Sequence, residues 1–193
     1  MSSQDPAAFP PYTYVPGGRW PHPKTSPQGH SSGLLSQVVT PIQDDDWADS
    51  VAYLRGVALF NGGYYWEAHE AWEPLWLAHG RRGPVAAAIQ GLIKLAAAGV
   101  KVREGRPAGA ASHAARAAAL LEASRRAGGR YRLGLDLDEW IVRARDTAGN
   151  PPVDSGPPSA SVFVVFSFRL EPSLESKHGP CQPSIDWSSE RER

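Results

Sequence analysis

Apolar residues recur at helical spacing through the middle of the chain, in windows that are rich in alanine. Turn signals built from glycine, asparagine and proline interrupt this pattern at 61–63, 80–84, 105–107 and 128–129. The pattern predicts helices at 44–61, 64–79, 84–104, 107–127 and 137–148. Because short connections favour antiparallel neighbours, we predict an all-α fold, a small antiparallel bundle of four to five helices without a sheet.

Three predicted helices contain residues that bear on their ends or on their continuity. Asp44, Asp45 and Asp46 suit the positive end of the first helix, and Pro84 suits an early position in the third. Pro74 lies inside the second helix, where it removes the hydrogen bond that its N–H would give to the carbonyl of residue 70. We therefore expect a kink or a loosened turn at that point.

The distribution of proline divides the chain into three parts. Of the 18 prolines, most lie at or before Pro41 or at or after Pro151. We predict a disordered Pro/Gly-rich arm at 1–43, a helical domain at 44–150 and a disordered Pro/Ser-rich tail at 151–193. The tail contains one β-prone apolar stretch at 161–168, which on sequence grounds is either an edge strand or an aggregation hazard.

Charge and cysteine content restrict the partners and the compartment. The chain has 20 basic and 20 acidic residues, so it lacks the positive excess that binding to nucleic acid or to an anionic membrane requires. Its single cysteine, Cys181, excludes an intramolecular disulfide and a cysteine-based zinc cluster. No apolar stretch of roughly 20 residues and no apolar leader is evident, so we expect a cytoplasmic protein. A homo-oligomer is compatible with these features.

The second predicted helix concentrates chemically capable side chains on one face. At 100° per residue, an arc of about 160° holds three tryptophans, a tyrosine, a histidine and two glutamates. These residues are Tyr65, Trp66, His69, Glu70, Trp72, Glu73 and Trp76. An arc of this composition normally faces a core, where a carboxylate needs a cation, a hydrogen-bond donor, a metal ion or a proton.

Two interpretations of this arc remain open. In the first, it is a structural network in which Lys94 pairs with Glu70 or Glu73 and Gln90 hydrogen-bonds to His69. In the second, it is a functional cleft in which His69 and Glu73, at i and i+4, converge on a ligand, a metal ion or a proton. The motif resembles the zinc-protease pattern HExxH, but Glu73 replaces its second histidine, which argues against that class.

The residues from Phe60 to Trp76 (FNGGYYWEAHEAWEPLW), followed by Gln90 to Ala96 (QGLIKLA), resemble the domain of unknown function 309 family. The resemblance covers roughly residues 50 to 121. It implies an all-helical domain with signature positions at Asn61, His69, Glu70, Glu73 and Gln90, and it implies no activity. The chain departs from the family pattern at Pro74 and in its two long extensions.

Two hypotheses for the function follow. One is a metal- or small-molecule-dependent enzyme of hydrolytic type, with His69, Glu70 and Glu73 as candidate catalytic residues and His69 and Glu73 as candidate metal ligands. Asn61, Tyr65, Gln90 and Lys94 would complete its pocket. The other is a non-enzymatic binding or assembly module whose buried His/Glu network is structural. A pocket open beside His69 favours the first hypothesis, and a sealed network favours the second.

Overall fold

The computed structural model describes residues 8–34, 39–154 and 161–174. A short 3-10 turn at Trp47–Asp49 precedes five helices, and each helix packs against the next one along the chain. They are α1 (Val51–Asn61), α2 (Tyr65–Ala78), α3 (Gly83–Arg103), α4 (Pro107–Gly128) and α5 (Leu137–Gly149). The predicted helical bundle is thus confirmed, and α2 continues through Pro74.

The predicted start of the first helix at residue 44 is wrong. α1 begins at Val51, where the Ser50 side chain accepts a hydrogen bond from the Tyr53 backbone N–H at 3.3 Å. Asp44 does not cap this helix, because its carboxylate accepts a hydrogen bond from Leu133 N at 2.6 Å and pairs with Arg132. Asp44, which we expected at the end of the helix, therefore makes a long-range contact with residues 132 and 133 instead.

The expectation of no sheet is also wrong, although the sheet is small. Two-residue strands β1 (Tyr131–Arg132) and β2 (Leu135–Asp136) pair as an antiparallel hairpin between α4 and α5. The two residues of the turn, Leu133 and Gly134, have φ values of 52° and 74°. This left-handed conformation is the one that a two-residue hairpin turn requires, and the bond from Leu133 N to Asp44 helps to hold it.

Small residues bring the helices close together around α3. Trp72 of α2 is fully buried, and its indole N–H donates to the carbonyl of Tyr53 in α1 at 3.1 Å. Its indole ring lies directly over Gly56, and the ring of Tyr65 lies over Gly99 of α3 in the same way. By length and composition α3 could cross a membrane, contrary to our expectation, and 67% of its most apolar window is buried inside the bundle.

The described parts of the predicted arm and tail lie against the helices. The N-terminal arm, here residues 8–34 and 39–43, buries Tyr12 and Val15. The C-terminal segment, residues 161–174, buries Phe166 and Leu170 and contains neither helix nor strand. The division into arm, domain and tail stays a prediction. The expected disorder of 1–7, 35–38, 155–160 and 175–193 lies outside the described residues.

Close packing at Gly56 predicts a large effect from a small substitution. A Cβ atom at this position would lie 2.1 Å from Nε1 of Trp72, so Gly56→Ala should lower the free energy of unfolding by about 2 kcal/mol. Gly149→Ala, where a Cβ meets nothing within 4 Å, is the matched control and should change it by less than about 1 kcal/mol. Urea denaturation measures both, and equal stability of the two variants would contradict this packing.

Candidate functional site

The predicted arc of α2 lies at the border of the core. Tyr65 and Trp72 are fully buried, whereas His69, Glu70 and Glu73 are only partly buried. The ionisable side chains of the arc therefore lie where the helix meets the surface. Each of them has a different environment, and within the described part of the chain only Glu70 has an ion-pair partner.

Glu67 is the buried carboxylate of α2, and it is not among the candidate residues predicted from the sequence. Its side chain is 7% exposed. Thr13 donates its hydroxyl to Oε2 at 2.7 Å, and the backbone N–H of Tyr14 donates to Oε1 at 2.9 Å. Nε2 of His30 lies 3.3 Å from the same Oε1. The N-terminal arm thus closes over Glu67 and satisfies its oxygens.

Edge-to-face contacts between aromatic rings hold the arm in this position. Tyr14 and His22 contact the ring of Trp66 on α2, with centroids 4.8 Å and 5.4 Å away. Tyr12 contacts the ring of His30 at 4.7 Å, and its hydroxyl accepts the backbone N–H of His30 at 3.2 Å. These contacts direct His30 towards Glu67. The aromatic residues in the arm sequence were the available signal that the arm covers part of the bundle.

Glu70 forms an ion pair with the arm, and the proposed pair between Glu70 and Lys94 is wrong. Nζ of Lys24 lies 2.7 Å from Oε2 of Glu70. Among the described residues, Lys94 forms no salt bridge, and Gln90 forms no hydrogen bond to His69. Glu73 has neither kind of partner in the same part of the chain. The network that we considered as a structural interpretation is therefore assembled from the arm and not from α3.

The protonation of His69 is affected by burial and by the charges around it. Burial lowers its pKa, and the nearby Lys94 and Lys24 lower it further, while Glu73 and Glu70 act in the opposite direction. The pKa of His113 on α4 is lowered by burial and by Lys94. Both imidazoles are thus biased towards the neutral form, and a neutral imidazole can accept a proton.

Asn61 and Tyr65 bind the C-terminal segment. The Asn61 amide donates from Nδ2 to the carbonyl of Leu170 at 2.8 Å, and its Oδ1 accepts the Leu170 N–H at 2.7 Å. The Tyr65 hydroxyl accepts the backbone N–H of Val165 at 2.9 Å. The predicted pocket residues are therefore spread over three helices. Asn61 of α1 and Tyr65 of α2 contact the C-terminal segment, whereas Gln90 and Lys94 lie on α3.

A cavity of about 350 Å³ lies between the arm, α1 and α2. Apolar side chains form most of its wall, including Leu34, Val39, Val51, Leu59 and Pro74. Its polar lining consists of Lys24, His30, Ser31, Arg55, Glu67 and Glu70. Glu70 is the one candidate catalytic residue among the lining residues. The cavity has the size and mixed lining of a small-molecule site.

A family model described as a domain of unknown function (DUF309) matches residues 53–113. The chain carries a DUF309 domain. The match confirms the resemblance seen in the sequence. No curated protein and no solved structure matches the chain. The DUF309 domain runs from α1 into α4, so Asn61, Tyr65, Glu67 and Glu70 belong to it, whereas the arm and the C-terminal segment that they bind lie outside it.

The described residues of the DUF309 domain and its surroundings do not form a recognisable metal centre. Within 8–34, 39–154 and 161–174, no group of three or more His, Cys, Asp or Glu side chains is placed to hold a metal ion. The candidate ligands His69 and Glu73 therefore have no third protein ligand in this part of the chain. Stable metal sites in proteins ordinarily use three or four such ligands.

The contrast between Glu67 and Glu73 gives a direct test of this site. Glu67→Gln removes the charge that holds Thr13, Tyr14 and His30, so it should lower the free energy of unfolding by about 2 kcal/mol and speed proteolysis within 8–34. Glu73→Gln is the matched control, and it should leave both quantities unchanged. Urea denaturation and timed digestion measure them. Greater destabilisation by Glu73→Gln than by Glu67→Gln would contradict the arrangement.

Proposed function

We propose that the protein is a non-enzymatic binding module whose DUF309 domain holds extended polypeptide segments against α1 and α2. The observation that carries this proposal is the pair of hydrogen bonds between the Asn61 amide and both main-chain groups of Leu170. A primary amide matches the donor and acceptor of a peptide unit. It therefore binds the backbone of an extended segment whatever the side chain of the bound residue, as strand-recognition sites do.

Two further side chains of the domain support the same function. The Tyr65 hydroxyl accepts the N–H of Val165, and Glu67 accepts the N–H of Tyr14. These N–H groups belong to segments without helix or strand among the described residues, so no secondary structure satisfies them. A covered main-chain group without a partner is costly, and the domain supplies the missing partners. Its polar side chains therefore act as hydrogen-bond partners for the backbone of extended segments.

The alternative is a metal- or small-molecule-dependent enzyme of hydrolytic type centred on His69. The lowered pKa of His69 favours it, because a general base must be neutral to accept a proton. The cavity lined by Glu70 also favours a small-molecule ligand. We place this alternative second because Glu70 is paired with Lys24 and the cavity is not lined by His69 or Glu73. A cytoplasmic location without nucleic-acid or membrane partners stays a prediction.

A cleavable form of the full chain tests the binding function. A protease recognition sequence inserted between Gly156 and Pro157 allows the C-terminal fragment to be separated covalently after the protein has folded. We expect the fragment to remain bound and to co-elute with the helical part in gel filtration. Asn61→Ala removes two hydrogen bonds and should speed release of the fragment about tenfold or more.

Asn150→Ala is the matched control for this experiment, because Asn150 is an exposed residue at the end of α5. It should leave the rate of release unchanged. Immediate separation of the fragment from the otherwise unmodified protein would contradict the proposed function. Equal release rates for the Asn61 and Asn150 variants would show that the amide does not hold the segment.

A further inference from the structure

The C-terminal segment presents alternate side chains to the helices. Phe166 and Leu170 are buried and Phe168 is partly buried, whereas the intervening Ser167 and Arg169 are exposed. Alternation of this kind is the geometry of an extended chain lying on a surface. The segment thus contacts the helical bundle through positions i, i+2 and i+4, counted from Phe166.

Each of the contacting side chains meets the surface formed by α1, α2 and α5. The ring of Phe166 stacks on Phe60 at 5.6 Å and meets the edge of Tyr65 at 5.3 Å. The ring of Phe168 meets Trp140 of α5 at 5.5 Å. Leu170 is 1% exposed. Aromatic pairs in these geometries stabilise beyond the area that they bury, so the surface favours aromatic residues at the first two positions.

The backbone of the segment is recognised separately from its side chains. Asn61 binds both main-chain groups of Leu170, and Tyr65 binds the N–H of Val165. At Gly63, whose φ is +83°, an added Cβ would lie 2.5 Å from the carbonyl oxygen of Phe163. The segment therefore approaches the domain too closely for any side chain at that position. We call the surface formed by Phe60, Asn61, Gly63, Tyr65 and Trp140 the peptide groove.

We infer that the peptide groove is a recognition site for extended peptides with aromatic residues at i and i+2 and leucine at i+4. Residues 161–174 are a resident copy of that ligand and exclude a partner's peptide. This inference rests on the proposed binding function. Four of the five groove residues lie in the DUF309 domain, whereas the resident segment lies outside it. The receptor and its occupant are thus separate parts of the chain.

Tethering determines how strongly the resident segment competes. Residues 150–160 connect it to α5, and a linker of this length gives an effective concentration in the millimolar range. When the intrinsic Kd of the resident segment is about 10 μM or lower, a partner peptide then binds the intact chain about 100-fold or more weakly than it binds an unoccupied groove. Displacement of the resident segment is therefore the step that controls binding of a partner peptide to the peptide groove.

The test uses a fluorescein-labelled synthetic peptide with the sequence of 161–174 and the full chain. Phe166→Ser with Leu170→Ser weakens docking of the resident segment, and this double variant should bind the peptide at least tenfold more tightly than the wild type does. Val164→Ser with Leu174→Ser also replaces two apolar side chains by serine, but at exposed positions, and should bind no better than the wild type. Fluorescence anisotropy measures the affinities.

The specificity of the groove for peptide sequence is measured with the double variant that carries Phe166→Ser and Leu170→Ser. A peptide in which serine replaces both Phe166 and Phe168 should lose binding, whereas changes at Ser167 and Arg169 should have little effect. Adding Asn61→Ala to the double variant should weaken binding at least tenfold. Equal peptide affinity for the wild type and the double variant would overturn the inference, as would equal binding of the serine-substituted peptide.

The cleavable chain provides a second measurement if the double variant loses its helical circular dichroism. Excess labelled peptide should displace the bound fragment after cleavage, at a rate limited by release of the fragment. If the fragment leaves at once, the proposed binding function fails. If it stays but does not exchange with peptide, only this inference fails. Elution of the chain as a dimer whose cut fragments pass between copies would assign the groove to a second copy and overturn the partner assignment.

Discussion

The arrangement around α2 depends on one constraint, which is that main-chain N–H and C=O groups covered by protein must have hydrogen-bond partners. Helices satisfy these groups internally, but the described parts of the arm and the C-terminal segment contain no helix or paired strand. Side chains of α1 and α2 supply the partners instead. Asn61 binds Leu170, Tyr65 binds Val165 and Glu67 binds Tyr14, and these bonds fix both extended segments on the bundle.

This constraint changes how the polar residues of the DUF309 domain are interpreted. On the helix alone, His69, Glu70 and Glu73 resemble a catalytic cluster, because they share one arc. In the folded chain, Glu70 pairs with Lys24 of the arm, and Glu73 has no ion-pair or hydrogen-bond partner among the described residues. Glu67, on the other side of the helix, carries the dense hydrogen bonding. The polar side chains of α2 therefore serve chiefly to bind the extended arm and the extended C-terminal segment.

The helices could be predicted from sequence because their signals are local. The predicted second to fifth helices agree with α2 to α5 to within one residue at each end, since apolar periodicity and turn residues define both boundaries. The start of α1 was missed because Asp44 bonds to Leu133, 89 positions away. The hairpin beside it was missed because its strands are two residues long, too short for an alternating pattern.

The site could be predicted only in part, and the reason is physical. A helical wheel gives the direction of a side chain, and it placed Glu70 on the polar arc, whereas Asn61 was indicated only by the family resemblance. It does not say which segment covers each face, so the partner of Glu70 was misassigned to α3 and Glu67, about 200° from Tyr65 on the wheel, was omitted. The arm is rich in proline and turn residues and 161–168 is a lone apolar stretch, and a single sequence gives no pairing rule for either.

Amide hydrogen exchange at Leu170 and Tyr14 tests most directly the claim that α1 and α2 side chains hold extended backbone. The account predicts that both amides exchange much more slowly than in an unstructured peptide. It also predicts that Asn61→Ala speeds exchange at Leu170 at least tenfold while leaving Tyr14 unchanged. Exchange of the Leu170 amide in the wild-type protein at the rate of an unstructured peptide would contradict the account.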